Sequence, residues 1–138
     1  MNKGGKFVFG QSLISGQGIV RLPPQAVDEY HITSEGKVYL FTGSKSTGGF
    51  CVTRRGLLLP SESGHILTET PALARYELPE GSFLPYKGRA YCWANITEAG
   101  EIRLTEEMLT YLELKHGMCL LCIRSSTLPL QWARKERF

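Results

Sequence analysis

The sequence predicts a mainly-β fold: a pseudo-twofold β-barrel built by one chain of 138 residues, with one short helix per repeat. Three observations carry that expectation. The first is an echo, in which "GIVRL" at Gly18–Leu22 returns as "GEIRL" at Gly100–Leu104, an offset of 82. The second is a β-rich run after each echo, "KVYLFTGS" and "MCLLCIRS", each followed by a turn and a last strand, "GGFCVTRR" and "PLQWARK". The third is size. A unit of about fifty residues buries too little surface to stand alone, whereas the whole chain can bury roughly 68–70% of its unfolded surface as a single domain. Two copies that bury each other's apolar faces would close a barrel and remove exposed strand edges.

Repeat one runs over about 6–55. Its opening strand is the alternating "KFVFGQSLIS", followed by the short strand of the echo. Pro24 suits the first position of a helix, and Ala26, Val27 and Tyr30 fall on one side of it at helical spacing. Gly36 ends that helix and the β-rich run begins. A crossover segment, about 56–86, holds Pro60, Pro71, Pro79 and Pro85. It is expected to carry a short helix near "PALARY" and a hairpin through "GLLLPSESGHIL". Repeat two covers about 87–133, opening on "RAYCWANIT". Thr105 can cap its helix, Glu106 and Glu107 suit the positive end of the helix dipole, and Met108, Leu109 and Leu112 repeat the apolar side. Gly117 stands where Gly36 stood, and a charged tail, 134–138, follows the last strand.

Composition excludes several classes. An apolar share of 42% with 21% charged is ordinary for a folded chain and argues against disorder. The net charge of +3 is mild and the cations are spread along the chain, so composition alone does not call for nucleic acid. "MNKGGKFVFGQS" is too short an apolar run for a signal peptide, and nothing approaches the roughly 20 apolar residues that cross a bilayer. The expectation is a cytoplasmic protein with no membrane partner, in which the sequon Asn95–Thr97 goes unused.

Four cysteines do not make a disulfide scaffold at this length. Cys119 and Cys122 form a CxxC, but on a strand residues three apart point to opposite faces, and no second pair supplies the remaining zinc ligands. Core cysteines are the reading, with no metal and no cofactor. "FTGSKSTGGF" departs from a phosphate-binding P-loop because Lys45 precedes the second glycine and a strand follows. It reads as a hairpin loop whose Gly43, Ser44, Lys45, Ser46, Gly48 and Gly49 could hold an anion through backbone N–H groups. His31, His65 and His116 lack metal or catalytic spacing. His31 and His116 lie near helix C-terminal ends, where the dipole favours an imidazolium. No nucleophile–base set assembles, so an enzyme is not expected. Trp93 and Trp132 read as anchors of the core or of an interface.

Glycine, a β-rich triplet, Leu-Pro, a short helix, "HITSEGKVYLF" and a final hairpin resemble the AbrB/SpoVT-type swapped-hairpin family. The resemblance covers about Lys6 to Arg55 and Lys87 to Ala133, and is similar to the tandem, MraZ-like arrangement with both repeats on one chain. It implies a DNA-binding transcriptional regulator. The family's usual basic positions, after the motif glycine and paired in the helix, fall here on Ile19, Val27 and Asp28, and on Glu101, Leu109 and Thr110, none of them basic. Arg21 and Arg103 lie two residues further on, roughly 6.5–7 Å along the same strand face. Symmetry would set the two on one side of the barrel, gripping double-stranded DNA with help from Arg54, Arg55 and Lys115, and a homodimer would double the contacts. The competing reading makes both arginines outward-facing residues paired with Glu101 or with helix acids. The alternative function is a barrel that binds a small anionic ligand or a protein partner near Gly43–Gly49.

Overall fold

The structure, a computed structural model, describes residues 7–42, 49–61, 64–124 and 130–134, with Phe7 and 130–134 described by their backbone alone. Among the described residues nine strands appear in chain order: β1 (Phe7–Leu13), β2 (Ile19–Arg21), β3 (Lys37–Thr42), β4 (Phe50–Thr53), β5 (Leu84–Tyr86), β6 (Arg89–Asn95), β7 (Glu101–Arg103), β8 (Cys119–Arg124) and β9 (Leu130–Arg134). Between them lie helices α1 (Pro24–Tyr30), α2 (Arg55–Leu58), α3 (His65–Glu69), α4 (Pro71–Ala74) and α5 (Glu106–Leu112), and a 3-10 turn over Ile32–Glu35. The fold is mainly β with a few short helices.

Helices α1 and α5 form where the apolar spacing puts them. Pro24 opens α1, and Thr105 caps α5 by accepting a hydrogen bond from the Met108 N–H at 3.2 Å. Both close on a left-handed residue, His31 (φ 52) and Glu113 (φ 59). Such a cap returns the chain's N–H to a carbonyl of the last turn and turns it toward the next strand.

The sheet is crossed between the two copies. Among the described residues seven antiparallel strands stand in the order β1-β8-β9-β4-β3-β6-β5, and β2 pairs β7 in a separate two-stranded ribbon. Strand β1 therefore pairs with β8 of the other copy, and β3 with β6. Leu13 faces Cys119 and Asn95 faces Lys37, the same pair seen twice at the offset of 82. The Ile14 N–H bonds the Met118 carbonyl as the Ile96 N–H bonds that of Gly36. Across the ribbon, the Leu22 N–H reaches the Gly100 carbonyl at 2.8 Å, and the Leu104 N–H that of Gly18 at 2.7 Å. The local twofold passes through Val20↔Ile102 in the ribbon and Cys51↔Gln131 in the sheet.

Two expectations are corrected. Among the described residues the hydrogen-bonded order is open rather than a closed ring, because the crossover adds β5 to the free edge of β6 and the ribbon stands outside the sheet. The hairpin expected through "GLLLPSESGHIL" is replaced by α2 and α3; the helix expected near "PALARY" is α4. The sheet requires this. Val38, Leu40, Phe50, Val52, Cys92, Ala94, Leu120 and Cys122 pack inward with Val20, Ile102 and the apolar sides of α1 and α5. Tyr39, Phe41, Cys51 and Tyr91 point the other way, and Leu58, Ile66, Leu67 and Leu73 of α2–α4 cover them. Among the described residues no helix is long and apolar enough to cross a membrane.

Candidate functional site

The ribbon owes its two faces to its alternation. Val20 and Ile102 are buried against the core, so Ile19, Arg21, Glu101 and Arg103 turn outward, with both arginines exposed. Arg21 stands opposite Glu101 and Arg103 opposite Ile19, which sets the two guanidinium-bearing positions on a diagonal about 7–8 Å apart at the backbone. The turns that feed the ribbon are matched. Ser15 Oγ accepts from the Ile19 N–H at 3.0 Å, and Thr97 Oγ1 from the Glu101 N–H at 3.1 Å. Ser12 Oγ donates to the Arg21 carbonyl at 2.7 Å and ties β2 to β1. Among the described residues neither arginine lies within ion-pair distance of a carboxylate. At the Arg103 end a cleft of about 340 Å³ is lined by Gln17, Glu80, Arg103, Thr105 and Glu106.

The other expected cations separate. Arg54 belongs to the scaffold: its Nε donates to the Tyr30 carbonyl at 2.9 Å and its Nη1 to Glu35 Oε2 at 2.9 Å. Glu35 also accepts the backbone N–H groups of Arg55 and Gly56. Turning Arg54 to a phosphate would break that brace and leave Glu35 to its two backbone donors. Arg55 is exposed but opens α2, on the helical cover and away from the ribbon. Lys115 is exposed in the turn after α5 and adjoins His116, whose ring reaches back to Ser15 at the ribbon's base. Gly43, Ser44, Lys45, Ser46 and Gly48 lie outside the described residues; Gly49 is buried with φ 69 and leads into β4.

His116 is held differently from the dipole expectation. Nδ1 is 2.9 Å from the Ser15 carbonyl and Nε2 is 2.7 Å from Glu106 Oε2. Both partners accept, so both ring nitrogens must donate, which only the imidazolium can do. The Ser15 carbonyl, then the Glu106 carboxylate, raise the pKa of His116. A raised folded value means the contribution is fully present below the unfolded value of about 6.5 and is lost as pH rises through the folded one. Denaturation midpoints measured across that window should fall with rising pH, and the His116→Gln variant should flatten the dependence. His31 acts through its left-handed backbone at the end of α1.

Cys51, Cys92 and Cys122 are core residues, but Cys119, expected in the core, is only half-buried because the alternation turns it to the other face of β8. Burial pushes the Cys51 and Cys92 thiols up to about 12 and raises that of Cys122. Cys119, on the other face of β8, donates to Gln11 Oε1 at 3.0 Å. Among the described residues no group of three metal-ligating side chains gathers. Trp93 is an anchor, donating from Nε1 to the Leu78 carbonyl at 2.7 Å; the side chain of Trp132 lies outside the description.

Sequence reasoning passed over one feature. Lys87 and Arg89, at the turn between β5 and β6, line a cleft of about 390 Å³ that includes Thr42 and Tyr111. The only local signal was "YKGR", a tight-turn pattern flanked by cations. Family models, curated proteins and solved structures give no match to this chain.

Proposed function

We propose that this protein is a DNA-binding regulator of the swapped-hairpin type that presents its β2–β7 ribbon to a duplex. One observation carries the reading: two exposed arginines stand on the diagonal of an antiparallel ribbon that has a local twofold at its centre. A major groove admits a two-stranded ribbon, and arginine suits both guanine edges and phosphate oxygens. The crossed pairing of β1 with β8 and β3 with β6 supports the family resemblance, in which two repeats interlock. Lys115 adds a flanking cation, while Glu101, Glu106 and Glu80 nearby limit the positive field. With so few phosphates neutralised, binding is weak and its salt slope shallow, and a homodimer with two ribbons strengthens it.

The test is fluorescence anisotropy with duplex DNA from about 50 to 200 mM salt, on the native chain and on Arg21→Ala/Arg103→Ala. Loss of two phosphate contacts should reduce the slope of log affinity against log salt by about 2. No binding at the lowest salt ends the reading. An unchanged slope in the double variant moves the interface off the ribbon.

A further inference from the structure

The β5–β6 hairpin sets copy two apart from copy one. Tyr86 and Arg89 pair across Lys87–Gly88, both left-handed at φ 49 and 84, which is a tight two-residue turn. Copy one has no counterpart among the described residues, since β1 is the outermost strand there. The turn sets two cations at the mouth of the 390 Å³ cleft, and none of the described residues lining it is acidic. Arg89 is aimed. Its Nη1 donates to the Thr42 carbonyl at 2.6 Å and its guanidinium lies 5.5 Å from the Phe41 ring centroid, which orients the remaining N–H donors. Lys87 Nζ rests 5.4 Å from the Tyr86 ring centroid.

The cleft also has an aromatic wall. Tyr111 is a large ring left 48% exposed, although its helix buries Met108, Leu109 and Leu112. One face is stacked on Phe83, with centroids 4.4 Å apart and planes 9° from parallel. A ring stiffened on one side and open on the other is a stacking platform.

We propose that this cleft binds a mononucleotide, its base stacked on Tyr111 and its phosphate held between Lys87 and Arg89. Neither a simple anion nor an uncharged ring uses both walls. The ribbon arginines take no part in the cleft, so this inference stands or falls independently of DNA binding.

Titration calorimetry with adenosine monophosphate, adenosine and inorganic phosphate tests it. The nucleotide should bind more tightly than either fragment. Tyr111→Ala should weaken nucleotide binding about tenfold. Lys87→Ala, at an exposed turn position, should weaken the nucleotide while leaving adenosine unchanged. Two results overturn the proposal: nucleotide binding no tighter than phosphate alone, or native affinity in both variants when their thermal melts match the native chain. Arg89→Ala is avoided as the sole variant because Arg89 also holds the Thr42 carbonyl.

Discussion

Replacing Gly18 with alanine is expected to lower the urea midpoint by about 1–2 M, a loss near 3 kcal/mol. Gly18 has φ +82, a backbone state that costs an L residue about 1–2 kcal/mol. A Cβ there would also sit well inside contact distance of the Leu104 carbonyl oxygen, and a backbone atom cannot step aside. The ribbon would have to open at the end where Leu104 donates to the Gly18 carbonyl. Gly100 is its mate under the local twofold, with the same φ, yet the outcome should differ. Its Cβ would meet Val27 Cγ2 at 3.2 Å, a tight but not forbidden contact with a side chain, while the Leu22 carbonyl oxygen is 3.8 Å away. Gly100→Ala should therefore lose only about 1–2 kcal/mol, mostly from φ. Equal losses at the two positions would show that the ribbon ends are equally tight.

The second large effect belongs to Tyr39. It is fully buried, stacked on Tyr76 at 5.5 Å, and its hydroxyl donates to the Leu73 carbonyl at 3.0 Å. It thus joins β3 to α4 by packing and by a buried hydrogen bond. Tyr39→Ala should lose about 3–5 kcal/mol and release the helical cover, read as faster proteolysis between α2 and β5. Tyr39→Phe should lose about 1 kcal/mol, since only the hydrogen bond goes and the Leu73 carbonyl keeps the Tyr76 N–H at 3.2 Å. Burial holds the phenol well above its ordinary value of 10.0, so the folded state keeps this proton longer than the unfolded chain does. Its contribution is present below about pH 10 and declines above it, a decline that Tyr39→Phe should lack.

Much of the fold could be read from the chain. The echo at offset 82 is a local pattern, and a twofold fixes how its two copies meet, so Val20 and Ile102 follow as core and Arg21 and Arg103 as surface. The helical cover was less legible. "GLLLPSESGHIL" has apolar residues that satisfy either period over so few positions, and what selects helix is the far side of β3 and β6. The unbroken run "VYLF" within β3 was the available signal, because a strand apolar at successive positions needs cover on both faces. The closed barrel was overreached for a related reason: twofold logic says nothing about an extra strand, and β5 comes from a segment that has no counterpart in copy one. Arg54 looked like half of a basic pair until its carboxylate partner, Glu35, arrived from the other side of β3.

The interleaving of the strands also bears on how the molecule is made. Phe7 finds its ladder partner in Arg124, nearly a whole chain away, and β3 finds its own in β6. Contacts so remote in sequence slow folding, because the ends of a long loop must meet before any of them forms. A ribosome adding about 5–20 residues per second leaves the first half waiting several seconds for its mate. Through that interval its apolar strands have bare edges, and the nascent chain is most open to misassembly with its neighbours until the second half emerges.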